Sequence, residues 1–379
     1  MCSSSTWAED HPIRHEITGG ITWISDEWAY HDYIVNGEAF PAVSGNLDKD
    51  YTVMAGAYAF FFTPIPEDHT TPIALRRFYT HPTTVSLNFF YQPEKKLTYH
   101  YQNLGANYHS STDRDASSRS AGVDVEYYLK PTTGLCFHLS AEKNEEAIQT
   151  SDTLDSRGTG DSDEIRRYYG VGVSQYMFDH LNLKLSYTIL DFKSSSNEKT
   201  WTEDRPLLFT HYFKDTDTTG KKITLVGEYV FRKLLGIQGV YVFWDQKAHS
   251  KELSFYADTF LNLDSYYNDT IANHTLGMSV SLYLWEKMTF RVGGSYTRQA
   301  LDRTYQTDQV IEYDWKITTV EASLLRYLNR HIGVQIGYKF ATQDGDVLIR
   351  HPASENDPRT TYTADADFHS VYIGVTGRF

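Results

Sequence analysis

The segment leading to Phe379 alternates with a period of two. Val371, Ile373, Val375 and Phe379 take one parity, and Ser370, Tyr372, Thr376 and Arg378 take the other. Period two is the spacing of a β-strand with one apolar face. An apolar row that ends on a terminal aromatic is expected of the strand that closes a transmembrane β-barrel, with Phe379 as the C-terminal insertion signal read by the barrel-assembly machinery. That row must face lipid. A sheet in a bilayer has no water to satisfy its edges, so it has to close into a ring, and the expected compartment is the bacterial outer membrane.

Composition fits a barrel once the alternation is taken into account. The chain is 40% hydrophobic and 22% charged, and no run approaches the roughly 18 apolar residues of a transmembrane helix. Alternating faces average to neutral hydropathy, so a barrel stays polar overall. The 29 Tyr, 20 Phe and 7 Trp are a heavy aromatic load of the kind that collects at membrane interfaces, and Trp23, Trp28, Trp244, Trp285 and Trp315 are expected in such girdles. A formal charge of −14 argues against nucleic acid, whose phosphates need a basic face. Acidic outer loops are instead expected at the cell surface, where the charge either binds divalent cations that bridge lipopolysaccharide or simply serves solubility. Cys2 and Cys136 form neither a disulfide framework nor a metal spacing.

The first residues, MCSSSTWAED, carry no basic n-region and no apolar core of signal-peptide length. Residues 1–14 are expected to be a tail, either the remnant of a signal cleaved after Thr6-Trp7-Ala8 or a stretch lipidated at Cys2. The barrel is expected over 15–379.

Alternating segments recur along the chain. Val123, Val125, Tyr127 and Leu129 oppose Asp124, Glu126, Tyr128 and Lys130. Leu135, Phe137 and Leu139 oppose Cys136, His138 and Ser140, and Leu181, Leu183, Leu185, Tyr187 and Ile189 oppose Asn182, Lys184, Ser186 and Thr188. Short links near 131, 179, 234, 286 and 329 interleave with polar links near 145–164, 195–220, 248–273, 299–311 and 343–365. Barrels of this class have short periplasmic turns and long outer loops, so the long links are expected outside. Counting back from the C-terminus gives strands centred near 373, 337, 320, 294, 280, 241, 226, 187, 172, 139 and 125, preceded by 84–91, 51–62 and 17–28. The expected fold is an all-β antiparallel barrel of about 14 strands. If 97–108 also spans, the count rises to 16.

The link between the strands at 51–62 and 84–91 is unusually long for an inner turn. It contains Phe62-Thr63-Pro64, Pro72-Ile73-Ala74 and Val85-Ser86-Leu87 in order. This succession resembles a family of Gram-negative outer-membrane porin-like barrels, in which an aromatic-Thr-Pro step is followed by a Pro-Leu-Ala-Glu-Ala-Ala-Phe-Leu-like stretch and a Ser-x-Val-Ser-Leu strand. Leu75-Arg76-Arg77-Phe78 departs from the acidic run of that family. The match covers about thirty residues, and it implies fold and compartment rather than a substrate.

No nucleophile elbow, phosphate loop, HExxH or paired CxxC occurs. Ser/His or Asp/His sets at a strand rim would be the enzymatic option, and His138, His180, Ser174 and Asp179 are the residues to inspect. They are expected to be polar turn and lumen residues, with no enzyme and no cofactor. Lumen chemistry is the better lead, since a pore selects by the size and field of its lining. The polar parity places Asp124, Glu126, Lys130, His138, Glu142, Lys184, Glu228, Arg291, Glu321, Gln335, Lys339 and Arg378 toward the lumen. Opposed acids and bases would set up a transverse field in an open pore, or would pair with one another in a narrow one. Arg76 and Arg77 either fold inward as a basic constriction or lie in a solvated periplasmic link. The expected function is passive diffusion of small hydrophilic solutes. A sheath for a protein partner, such as an electron-transfer protein, and a surface receptor or adhesin are the alternatives.

Overall fold

The computed structural model describes residues 13–379 except 36–37, 40–42, 66–70, 104–107, 153–155, 179, 203–204, 257–264, 306–308 and 351–358. The chain forms β1 (Ile13–Val35), a two-residue β2 (Glu38–Ala39), β3 (Val43–Ile65), a 3-10 turn (Ile73–Leu75) that runs into a one-turn helix α1 (Arg76–Thr80), and β4 (Thr84–Asn103). It continues with β5 (Tyr108–Lys130), β6 (Thr133–Asp152), β7 (Ser156–Met177), β8 (Leu181–Thr202) and β9 (Arg205–Phe231). The last strands are β10 (Leu235–Tyr256), β11 (Ser265–Leu284), β12 (Met288–Tyr305), β13 (Val310–Tyr327), β14 (Ile332–Arg350) and β15 (Arg359–Arg378).

Each long strand pairs antiparallel with its neighbours in sequence, and β15 returns to β1 with Ile21 opposite Ile373 and Glu16 opposite Arg378. Setting aside the two-residue β2, this is a closed barrel of 14 strands among the described residues. Closure leaves no free edge, which is the condition for a sheet in hydrocarbon. The segment 97–108 does not add a crossing. Pro93 interrupts β4, where the register to β5 shifts between Gln92 and Lys95 and the register to β3 shifts between Tyr51 and Met54. Proline has no N–H for the ladder, so the strand bulges at that point and then resumes as far as Asn103.

The long outer links differ from expectation. Most of their residues extend the hairpins: β6 runs on to Asp152, β8 to Thr202 and β9 begins at Arg205. Strands of 18 to 27 residues are about twice what a tilted strand needs to cross hydrocarbon. Above the membrane both faces meet water, so polar residues on both parities conceal a strand from an alternation test. The Ser, Thr and Tyr of these stretches suit a pleated sheet as well as a loop. At the opposite end the turns are tight. Arg232 and Lys233, in the three-residue link between β9 and β10, both have positive φ, 49° and 59°, the handedness that matches the twist of the flanking strands.

The two faces of the wall separate by chemistry. Leu183, Leu185, Tyr187 and Ile189 on β8 and Val371, Ile373 and Val375 on β15 project outward in a continuous belt and are 37–51% exposed. An apolar belt around a whole monomer is incompatible with water and matches a bilayer. The even strand number, the short turns at one end and the belt make this an outer-membrane β-barrel. Aromatic rings cover some of the strand glycines: a Cβ at Gly337 would run into the Tyr372 ring. Trp244 and Trp315 depart from the girdle expectation. Trp244 takes the inward parity beneath Lys222, and Trp315 covers Gly345, whereas Trp285 is 78% exposed on the β11–β12 turn. Placed near mid-belt, Leu185→Arg is expected to destabilise the barrel by about 2–4 kcal/mol. The inward Thr188→Arg is expected to cost much less, and denaturant unfolding in lipid vesicles separates the two.

Candidate functional site: a polar lumen above a periplasmic plug

The link between β3 and β4 folds into the barrel mouth. Pro72 leads into the 3-10 turn, α1 follows, and His81 ends the helix in a left-handed conformation with φ 45°. Its N–H donates to the Arg77 carbonyl at 3.2 Å, and Pro82 prevents the helix from continuing. This short segment then reaches widely separated parts of the rim. The Ile73 N–H donates to the Glu286 carbonyl at 3.0 Å, and the Arg76 Nη2 donates to Glu286 Oε1 at 2.7 Å. Arg378 Nη1 donates to the Ile73 carbonyl at 3.0 Å, and Lys233 Nζ donates to Thr71 Oγ1 at 2.7 Å. His81 Nδ1 lies 2.6 Å from the Pro131 carbonyl. Contacts to the β5–β6, β9–β10 and β11–β12 turns and to β15 make the segment a plug across the periplasmic mouth.

Aromatic packing seats it. Leu75 and Phe78 bury against Tyr176, Val230 and Tyr283, with Ala74, Tyr79 and Tyr128 at the margin. Tyr128, Tyr176, Val230, Tyr283 and Tyr327 belong to the inward rows at the lower ends of β5, β7, β9, β11 and β13, so the mouth carries a collar of mostly aromatic side chains. Each lies on the polar parity just before a turn. That aromatic in a polar row was the available signal for a seated plug. Burial pushes the Tyr79 phenol above its ordinary value. Among the described residues, Tyr79 Oη and Arg76 Nη1 are buried without a hydrogen-bond partner.

The sequence-expected lining residues divide among three places. Arg76 is 2% exposed and locked to Glu286 within the plug, so it does not form a constriction. Arg378 likewise does not line the pore: it is buried, pairs with Glu16 at 2.6 Å and holds the plug backbone. Lys130 sits exposed on the rim beside the β5–β6 turn. Arg77 points upward from the plug, with its Nη2 3.7 Å from Glu126 Oε2 and its guanidinium over the Phe61 ring. A cavity of about 640 Å³ opens above it, with Asp124, Glu126, His138 and Lys184 in its wall. On the far wall Arg291 donates to Gln238 at 2.9 Å and lies 3.8 Å from Glu321, and Gln335 donates to the Tyr372 hydroxyl at 3.1 Å. Glu228 faces inward opposite Asn182 and Gln238. Glu142 accepts from Ser118 at 3.5 Å farther out, and Lys339 is exposed on the inward parity of β14. Much of the mixed charge is therefore paired off and does not form opposed ladders.

Among the residues singled out for chemistry, His138 stands in a chain: Nδ1 is 2.6 Å from Asp124 Oδ1 and Nε2 is 2.9 Å from Ser140 Oγ. The order is that of a nucleophile relay. The flanking strand backbones are committed to the β5–β6 and β6–β7 ladders. Asn88 also donates to Asp124, so four side chains are linked by hydrogen bonds in the wall. Ser174 is buried beneath this level on β7, and His180 is exposed at the β7–β8 turn. Asp179, Cys2 and the expected cleavage position lie outside the described residues.

Glu286→Ala would strand the buried Arg76 charge, and breaking a buried pair of this kind typically costs about 3–5 kcal/mol. The expected outcome is faster amide exchange at Leu75 and His81, with the barrel-strand amides unchanged, as read by hydrogen exchange. Exchange at those two amides as slow as in the wild type would contradict the seating described.

No protein-family model matches the chain, and no curated protein matches it in sequence. Solved structures do match in shape. A FadL homologue from Pseudomonas aeruginosa superimposes with a TM-score of 0.57 at 10% identity, covering 96% of this chain and 90% of that one. A deltaS2 mutant of the TodX monoaromatic hydrocarbon channel gives 0.55 at 10% identity over 97% and 91%. The P. putida toluene transporter TodX gives 0.51 at 9% identity over 97% and 91%. At these identities the likeness establishes the fold, and the chain is similar to Gram-negative outer-membrane barrels over nearly its whole length.

Proposed function

We propose that the protein is an outer-membrane channel for small hydrophilic solutes, with permeation limited by the plug at its periplasmic mouth. The observation that carries this reading is the lining of the cavity above the plug, where charged and hydroxyl side chains of β1, β4, β5, β8 and β9 converge. A pore selects by the size and polarity of that lining. Two of the structures similar in fold are named for toluene and monoaromatic hydrocarbons. The charged lining here favours water-soluble cargo instead. The resemblance of residues 62–87 to porin-like barrels bears on fold and compartment rather than cargo, and those residues include the plug.

The plug also bears on the alternatives. A sheath for a protein partner needs a clear bore, whereas the segment that holds Arg76 and Phe78 buries itself across the mouth. In this reading the barrel has no enzymatic chemistry of its own, is inserted by the assembly machinery and meets lipopolysaccharide at its outer rim.

Planar-bilayer recording of the refolded chain tests the proposal, alongside a variant in which residues 72–81 are replaced by a short Gly-Ser link. The wild type is expected to show small openings, and the plug-deleted barrel a steady conductance several-fold larger. Silence from both proteins, with the heat-modifiable gel mobility of a folded barrel, would overturn the channel reading.

A further inference from the structure

The charges around the cavity are not evenly matched. Its carboxylates already have partners: Glu16 pairs with Arg378 at 2.6 Å, Asp124 with His138 at 2.6 Å, and Glu126 with Arg77 at 3.7 Å while also accepting from the Tyr128 hydroxyl at 3.0 Å. Two lysines in the opposite wall do not. Lys184 on β8 sits beside the Cys136 thiol, and Lys222 on β9 lies with its ammonium 5.6 Å from the Trp244 ring centre. Among the described residues neither forms an ion pair with a carboxylate. Glu228 is the nearest acid to Lys184 by register, since Val226 lies opposite Lys184 and Glu228 is one inward position lower, and the two make no ion pair. The inward neighbours of Lys222 are Thr188, Thr224 and Trp244, which carry no negative charge.

We infer that Lys184 and Lys222 form a binding site for a small organic dianion of the dicarboxylate class within the lumen. Thr188 pairs with Lys222 and Val226 with Lys184, so the two lysines are offset by four residues along adjacent strands. At about 3.3 Å per residue this is about 13 Å between their backbone positions. Two flexible lysine stems reaching toward each other from that offset can hold both ends of a short dicarboxylate. Ser186 and Thr224 lie between them as neutral hydrogen-bond donors. The aliphatic stems give the solute's carbon chain an apolar surface. A cation in a partly enclosed cavity is screened less than one on the surface, and the acids that would compete for it are already engaged. Lysine and arginine side chains lining a lumen are a known device for anion pores.

This inference deepens the channel reading and rests on it for its meaning in transport, but the site is tested by binding alone. Isothermal titration calorimetry of the full chain, folded in detergent, would compare succinate, acetate and the neutral 1,4-butanediol for wild type, Lys184→Gln, Lys222→Gln and the double variant. Succinate is expected to bind more tightly than acetate, with no binding of the diol. Each single substitution is expected to weaken succinate by about tenfold, and the double variant to abolish saturable binding. Equal succinate affinity in wild type and double variant, or no binding to a barrel that conducts potassium chloride in a planar bilayer, would overturn the anion site and leave the channel reading standing. Lysine-dependent binding in a barrel that never conducts, with or without residues 72–81, would uphold the site and overturn the channel reading.

Discussion

Everything in this structure depends on the hydrogen bonding of one seam, where β15 meets β1. A peptide group in hydrocarbon has no solvent to turn to, so an open sheet of any length would carry two unsatisfied edges into lipid. Pairing Ile21 with Ile373, and each of their neighbours in turn, removes both edges at once. The seam continues to the end of the chain, where the Phe379 carbonyl accepts from the backbone of Arg14 and His15 and its N–H donates to His15. Once the ring is closed, alternation alone sorts the side chains. One parity meets lipid and the other is enclosed, so the polar lumen follows from the apolar belt.

The plug is the part that closure does not dictate. A barrel of 14 strands has a wide bore, and here the lower end is narrowed by one helical turn seated on a collar of tyrosines. The same residues serve both structures: Arg378 is at once a seam residue, paired with Glu16 of β1, and an anchor for the Ile73 carbonyl. Glu286 sits in an ordinary hairpin turn and takes both a backbone and a side-chain bond from the plug. The plug is held by a few polar contacts spread around the rim together with a modest apolar cluster. Such a seat can open locally while the wall keeps its ladder.

Strand number, direction and wall facing were legible in the sequence because period two has only two phases, and a single apolar row fixes which is which. The inward orientation of Asp124, His138 and Lys184 follows directly from Val123, Leu139 and Leu185 facing lipid. Where both faces meet water that logic ends, and the stretches after Ala141 and Ile189 look like loops although they are paired strands. Orientation also does not reveal partners. Arg378 and Lys184 share the inward parity, yet one is consumed by Glu16 and the other has no carboxylate partner among the described residues, a difference set by contacts between residues far apart in the chain. Arg76 and Arg77 are adjacent, but a helical turn sends one into the seat and the other toward the cavity. Trp244 departs from the girdle for a related reason: aromatics serve girdle and lumen alike, and only its parity within β10 separates the two.

The central claim is that the polar row of the wall faces water inside a closed barrel and not lipid or a packed core. The native Cys136 reports on it directly, being half-buried on the inward parity of β6 at the level of the cavity. In a Cys2→Ser background, with the barrel folded in lipid vesicles, its modification by a charged, membrane-impermeant methanethiosulfonate would be compared with that by a lipid-soluble maleimide. Ready reaction with the charged reagent is the predicted result. Reaction with the lipid-soluble reagent alone would place that row toward the bilayer and contradict the account.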